Sequence, residues 1–138
     1  VEKDFELIDH TADAGVVAYG ADLGQAFANA AKALFSLVVE LGSVAEVIYR
    51  DLELAAPDQE DLLVAWLNEL IYLFDTENVL FKRFEVTVLD NRLKARVYGE
   101  KVDSARHRLK TGVKAATYHM LDVSRDDSGC RVRVIFDI

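Results

Sequence analysis

An α+β fold is what this sequence predicts: a mainly antiparallel β-sheet with two amphipathic helices packed on it, residues 1–138 forming a single domain. Three observations carry that expectation. Two long segments repeat their apolar residues at helical spacing, several others alternate apolar and polar residues with a period of two, and the helices are too few to cross between every pair of strands. With 138 residues, 51% of them hydrophobic, the chain is of ordinary one-domain size and can bury a core without disulfide staples.

Residues 5–9 and 14–20 are short runs rich in Phe, Ile, Val and Tyr, and they read as strands flanking the turn His10-Thr11-Ala12-Asp13. Asp22 caps a first helix, with Gln25 as its capping-box partner. Leu23, Phe27, Ala30, Leu34, Leu37, Val38 and Leu41 give that helix a core face, and Gly42 stops it. Val44 to Leu54 reads as a strand closed by Pro57-Asp58, where Asp58 caps a second helix reaching Thr76. Its apolar stripe is Leu63, Trp66, Leu67, Leu70, Leu73 and Phe74, and Asn68, Glu69 and Tyr72 read as a solvated face. Phe84–Val88 and Leu93–Val97 then form a hairpin about Asp90-Asn91. After a long loop from Gly99 to Gly112, a second hairpin runs from Val113 to Val123, turns at Asp126-Asp127-Ser128-Gly129 and returns from Cys130 to Asp137. Strict alternation puts Lys114, Ala116, Tyr118 and Met120 on one side of its first strand and Ala115, Thr117, His119 and Leu121 on the other. In its second strand Val132, Val134 and Phe136 claim the core, which turns Arg131, Arg133, Ile135 and Asp137 away from it.

Composition narrows the classes of function. A net charge of −8 excludes a general nucleic-acid binder, which needs a basic footprint. The charge is uneven: Lys101, Arg106, Arg108, Lys110 and Lys114 stand in one stretch against Asp103 alone, a basic loop able to meet phosphate or an acidic surface. The single cysteine, Cys130, fits a reducing compartment and reads as a small buried apolar residue. The opening Val1-Glu2-Lys3-Asp4 has no apolar leader, and the most apolar stretch, residues 26–39, is interrupted by Asn29, Lys32 and Ser36. A cytoplasmic protein with no membrane span is expected. No glycine-rich phosphate loop, nucleophile elbow, paired-cysteine motif or zinc-binding helix is present, so the sequence offers no recognisable nucleophile.

The chemistry that remains is acidic and sits at the two ends. If the fold brings Asp13 to Asp137, the terminal carboxylate at Ile138 joins them. Two carboxylates about 5 Å apart at an effective dielectric of ~20 repel by roughly 3 kcal/mol, which calls for a cation, a shared proton or a basic neighbour. Oxygen donors without a cysteine cluster point to Ca²⁺, Mg²⁺ or Mn²⁺ rather than structural zinc, and His10, His107 or His119 at the site would shift that preference toward a transition metal. Three readings stay open at this point: an accessory factor carrying a metal site, a chaperone-like binding module, and a metal-dependent phosphohydrolase using Asp13 and Asp137 with His119 as base.

Four segments, His10-Thr11-Ala12-Asp13, Leu67 through Glu77, Lys114-Ala115-Ala116-Thr117-Tyr118-His119 and Phe136-Asp137-Ile138, occur in an order that resembles the archease family from His10 to the end of the chain. The resemblance implies a non-catalytic accessory factor of the RtcB-type RNA ligase of tRNA splicing, one that promotes ligase guanylylation and repeated turnover and meets tRNA only through the ligase. It also implies that Asp13, Asp137 and Ile138 form a divalent-metal site, Ca²⁺ foremost, and that Lys114 is a functionally sensitive lysine. His107 and His119 fall where the family keeps histidines; with His10 and Lys114 they are candidate partner or phosphate contacts. Ala116 and Met120 depart from the larger apolar and the polar residue expected in that segment.

Overall fold

The helical and alternating patterns become two α-helices and seven strands in a computed structural model that describes residues 3–10 and 13–138. In chain order these are β1 (Phe5–His10), β2 (Asp13–Gly20), α1 (Leu23–Val38), β3 (Ile48–Ala55), α2 (Gln59–Glu77), β4 (Val79–Leu89), β5 (Arg92–Lys101), β6 (Ala115–Asp126) and β7 (Gly129–Asp137). Both caps act as expected: Asp22 Oδ1 accepts from the amide of Gln25 at 2.8 Å, and Asp58 Oδ1 from that of Asp61 at 2.7 Å. Asn78 ends α2 in the left-handed conformation, with φ 58°.

The α+β class holds, and every strand pair is antiparallel. The strands part into two sheets rather than one, in the orders β1-β2-β7-β6 and β3-β5-β4. The reason lies in α1. A helix with a single apolar stripe needs one sheet, but α1 buries Leu23, Ala26, Phe27, Ala30, Ala31, Ala33, Leu34, Phe35 and Val38, an arc too broad for one. It therefore packs on β2 and β7 of the first sheet and on β4 of the second. Gly24 permits the close approach to β4, because a Cβ there would lie 2.4 Å from the Val86 carbonyl oxygen. α2 lies along β6 and touches α1, where the fully buried Trp66 donates Nε1–H to the Phe27 carbonyl at 2.9 Å. Phe84 packs edge-on against Trp66 and stacked on Phe35, with ring centroids 6.3 and 5.9 Å apart.

Boundaries shift in two places. α1 stops at Val38, because Leu41–Ser43 forms a separate 3₁₀ turn, and β3 begins only at Ile48. The long loop spans 102–114 instead of 99–112, since residues 99–101 stay paired with 79–81 and extend β5. Among the described residues no helix is long and apolar enough to cross a membrane.

Trp66→Phe keeps most of the apolar volume but removes the bond to Phe27. It is expected to lower unfolding stability by about 2 kcal/mol in urea titrations. Wild-type stability in this variant would contradict the anchoring role.

Candidate functional site

Sheet topology places β2 beside β7, the last strand, and the register sets Asp13 directly opposite Asp137. The same rung continues to both edges, with His10 of β1 opposite Asp13 and Ala115 of β6 opposite Asp137. Directly opposed residues of an antiparallel pair carry their Cβ atoms about 4.5–5.5 Å apart on one face, so the two carboxylates emerge together. That face is the one turned from the core. Phe136, Val134 and Val132 pack inward beside Ala14, Val16 and Ala18, which leaves the odd-numbered residues of both strands facing out. Asp13 is half-buried, and Asp137 and Ile138 are exposed.

One rung further along, Gly15 and Ile135 pair on the same outer face. A Cβ on Gly15 would stand 3.0 Å from Ile8 Cβ and 3.2 Å from Ile135 Cδ1, so the missing side chain lets the two isoleucines close over the sheet. Ile135 is only 2% exposed although it faces away from the main core. The acidic rung is thus backed on one side by a dry apolar layer, which strengthens electrostatic interactions beside it.

The donor set is hard oxygen, and it fits a hard divalent cation that keeps part of its water. Asp13 and Asp137 supply two carboxylates, and Ile138 follows immediately on the strand end. Among the described residues no three His, Cys, Asp or Glu side chains gather as a metal-holding group, so the set does not fit a metal caged by side chains alone.

Lys114 joins this edge through its backbone: its amide donates to the Asp137 carbonyl at 2.8 Å, and its side chain is exposed. Asn68, read from sequence as part of a solvated face, instead accepts the Ala116 amide at 2.8 Å and ties α2 to the start of β6. The signal for it was weak, a lone amide bordering an apolar stripe.

The histidines separate. His107 is 5% exposed, and both ring nitrogens are engaged. Nδ1 accepts the Asp103 amide at 2.8 Å, which leaves the proton on Nε2 to be donated to Glu100 at 2.8 Å. Glu100 also accepts from the Arg106 guanidinium and from the Ala45 amide at 2.7 Å. Those contacts, Arg106 foremost, hold its carboxyl down to about 2. His107 therefore anchors loop 102–114, and Glu100, passed over in the sequence, is the centre of that anchor. The loop then bonds the end of α1, with the amides of Lys110 and Thr111 donating to Val38 and Leu37 at 2.8 and 3.1 Å. His119 lies exposed in β6, where strict alternation fails: the register jumps from Thr117 opposite Ile135 to Asp122 opposite Arg133. Thr11, Ala12 and the side chain of His10 lie outside the described residues.

Because Glu100 titrates below the ordinary glutamate value of 4.5, its charged contacts stabilise the fold fully above that pH and are lost as pH falls toward 2. Glu100→Gln is expected to cost about 2 kcal/mol at neutral pH. The gap from wild type, followed by urea titration, should close across the window from 4.5 to about 2. A gap unchanged with pH would rule out the charged anchor.

Comparison with known proteins agrees with this geometry. The archease protein family (MTH1598/TM1083) matches residues 5–138. Archease from Methanosarcina acetivorans is 36% identical over 99% of this chain and 97% of its own length. Archease from Sulfolobus acidocaldarius is 38% identical over 97% and 98%. The solution structure of Methanobacterium thermoautotrophicum protein 1598 superposes with a TM-score of 0.86 at 37% identity, covering 98% of this chain and 99% of that one. A crystal structure of an archease and possible chaperone from Thermotoga maritima shares the fold, with a TM-score of 0.68 at 22% identity over 95% and 94%. The chain belongs to the archease family, whose members are non-catalytic accessory proteins.

Proposed function

We propose that this chain activates an RtcB-type RNA ligase in tRNA splicing, promoting ligase guanylylation and multiple turnover through the acidic rung of its first sheet. Family membership supports the partner, and the single observation that supports the site is the register of Asp13 opposite Asp137. In this reading Asp13 and Asp137, with a main-chain oxygen of Ile138, hold a hard divalent cation, Ca²⁺ foremost and Mg²⁺ or Mn²⁺ next. The bound ion supplies positive charge at the nucleotide- and phosphate-bearing centre of the ligase. The chain's own residues do the placing. β2 and β7 fix the two carboxylates at a strand end, the Ile8–Ile135 layer excludes water behind them, and Lys114 offers its exposed ammonium beside them to phosphate. tRNA is met through the ligase, and the setting is the cytoplasm.

Two measurements test this reading. In thermal melts, Ca²⁺ at about 100 times its dissociation constant should stabilise the wild type by roughly 2.7 kcal/mol. Asp13→Asn and Asp137→Asn should lose that increment, and in chelator they should melt at or above wild type because a like-charged pair has been relieved. In a ligation assay with the cognate ligase, Asp13→Ala, Asp137→Ala and Lys114→Ala should fold normally yet leave the ligase at a single turnover. Full stimulation by any of the three would contradict the assignment. Client-protein binding indifferent to chelator would favour the chaperone-like module instead.

A further inference from the structure

β6 contains an irregularity that the acidic rung does not require. Five residue steps on β6, from Thr117 to Asp122, span what β7 covers in two, from Ile135 to Arg133. The surplus, Tyr118 to Leu121, is not slack chain. Thr117 Oγ1 donates to the Ile135 carbonyl at 2.8 Å, and Arg133 Nε donates to the Met120 carbonyl at 2.8 Å. Leu121 packs against the core, and the Tyr118 hydroxyl bonds Asp61 at the start of α2. Met120 is held at φ 53°, a left-handed conformation that an unbranched side chain other than asparagine or aspartate seldom adopts. A fastened bulge with a strained residue points to a function that pays for the strain.

What the bulge displays narrows that function. β6 is an edge strand, and bulges commonly blunt such edges with charged or small residues. Here the bulge instead presents two large hydrophobic side chains, Tyr118 at 61% and Met120 at 49% exposure. Aromatic residues and methionine are enriched in protein interfaces, where methionine adapts its shape to the partner. Around them stand the carboxylates of Asp58, Asp61 and Asp122, while nearby cations are engaged, Arg133 by Met120 and Arg131 by Asp122 at 3.8 Å. An acidic rim repels a nucleic-acid backbone and suits a protein recess edged with Lys or Arg. The bulge is also continuous with the acidic rung, since Thr117 is two residues along from Ala115, which faces Asp137.

We infer that Tyr118 and Met120 form a docking knob that enters a basic-rimmed apolar recess on the ligase and so seats the Asp13–Asp137 edge against it. This rests on the ligase reading above and adds to it the surface that makes contact. The knob governs affinity, whereas the acidic rung governs stimulation after binding.

The test is calorimetric titration of the full chain into the ligase, with turnover measured in parallel. Met120→Lys should fold like wild type and bind about tenfold or more weakly. Met120→Gly, which suits a positive φ, should melt about 2–4 °C above wild type and yet also bind more weakly. Asp137→Ala should bind within about threefold of wild type while failing to stimulate. Wild-type affinity in both Met120 variants, with Asp137→Ala still inactive, would overturn the knob and leave the ligase reading standing. Wild-type protein that neither binds nor stimulates the ligase would overturn that reading and the knob with it.

Discussion

Eight consecutive residue pairs, from Asp13 opposite Asp137 to Gly20 opposite Cys130, join the second strand to the last. This ladder closes the first sheet by uniting residues separated by nearly the whole chain, and its inward side chains, Val16, Ala18, Val132, Val134 and Phe136, form the floor on which α1 rests. A slip of one residue would turn all of those into solvent and carry both aspartates out of register. The core thus specifies the register, and the register specifies the acidic rung. Two carboxylates opposed on a ladder are unfavourable by themselves. Burial elsewhere along the same strands holds them there.

The rest of the site hangs on that ladder. β6 lies on the far side of β7, tied by the Lys114 amide to Asp137, by Asn68 to α2, and by Thr117 to Ile135. Loop 102–114 reaches it from a different anchor, in which Glu100 gathers Arg106, His107 and the Ala45 amide. A depressed carboxyl pKa here reflects a structural knot rather than acid–base chemistry. The basic stretch is correspondingly divided in its duties. Arg106 is committed to Glu100 and Asp103, and Lys110 approaches Glu40 at 3.6 Å, while Lys114 extends from the edge beside the aspartates.

How much of this could be read from the sequence follows from which interactions are local. Caps at Asp22 and Asp58, both helical stripes and the outward turn of Asp137 depend on neighbours a few residues away, and each stands as expected. The division into two sheets was hidden, because it depends on how much of the circumference of α1 is buried, and its many alanines carry little pattern. The bulge at Tyr118–Leu121 broke an alternation that looked regular, since its cause is a long-range fastening by Arg133 and Asp61. Glu100 and His107 sat in a segment that resembled an ordinary charged loop. Their partners, Ala45 and Asp103, are recognisable only once β5 is seen to run on to Lys101.

The central claim, that the meeting of β2 and β7 creates a divalent-cation site, is tested most directly by substoichiometric Mn²⁺ in amide-resolved NMR. Paramagnetic broadening should centre on Ala14, Lys114, Ala115 and Phe136 around the acidic rung, with Gly20 and Cys130 at the far end of the ladder left sharp. Broadening centred on the acidic start of α2 at Asp58, Glu60 and Asp61, with the rung unaffected, would contradict it.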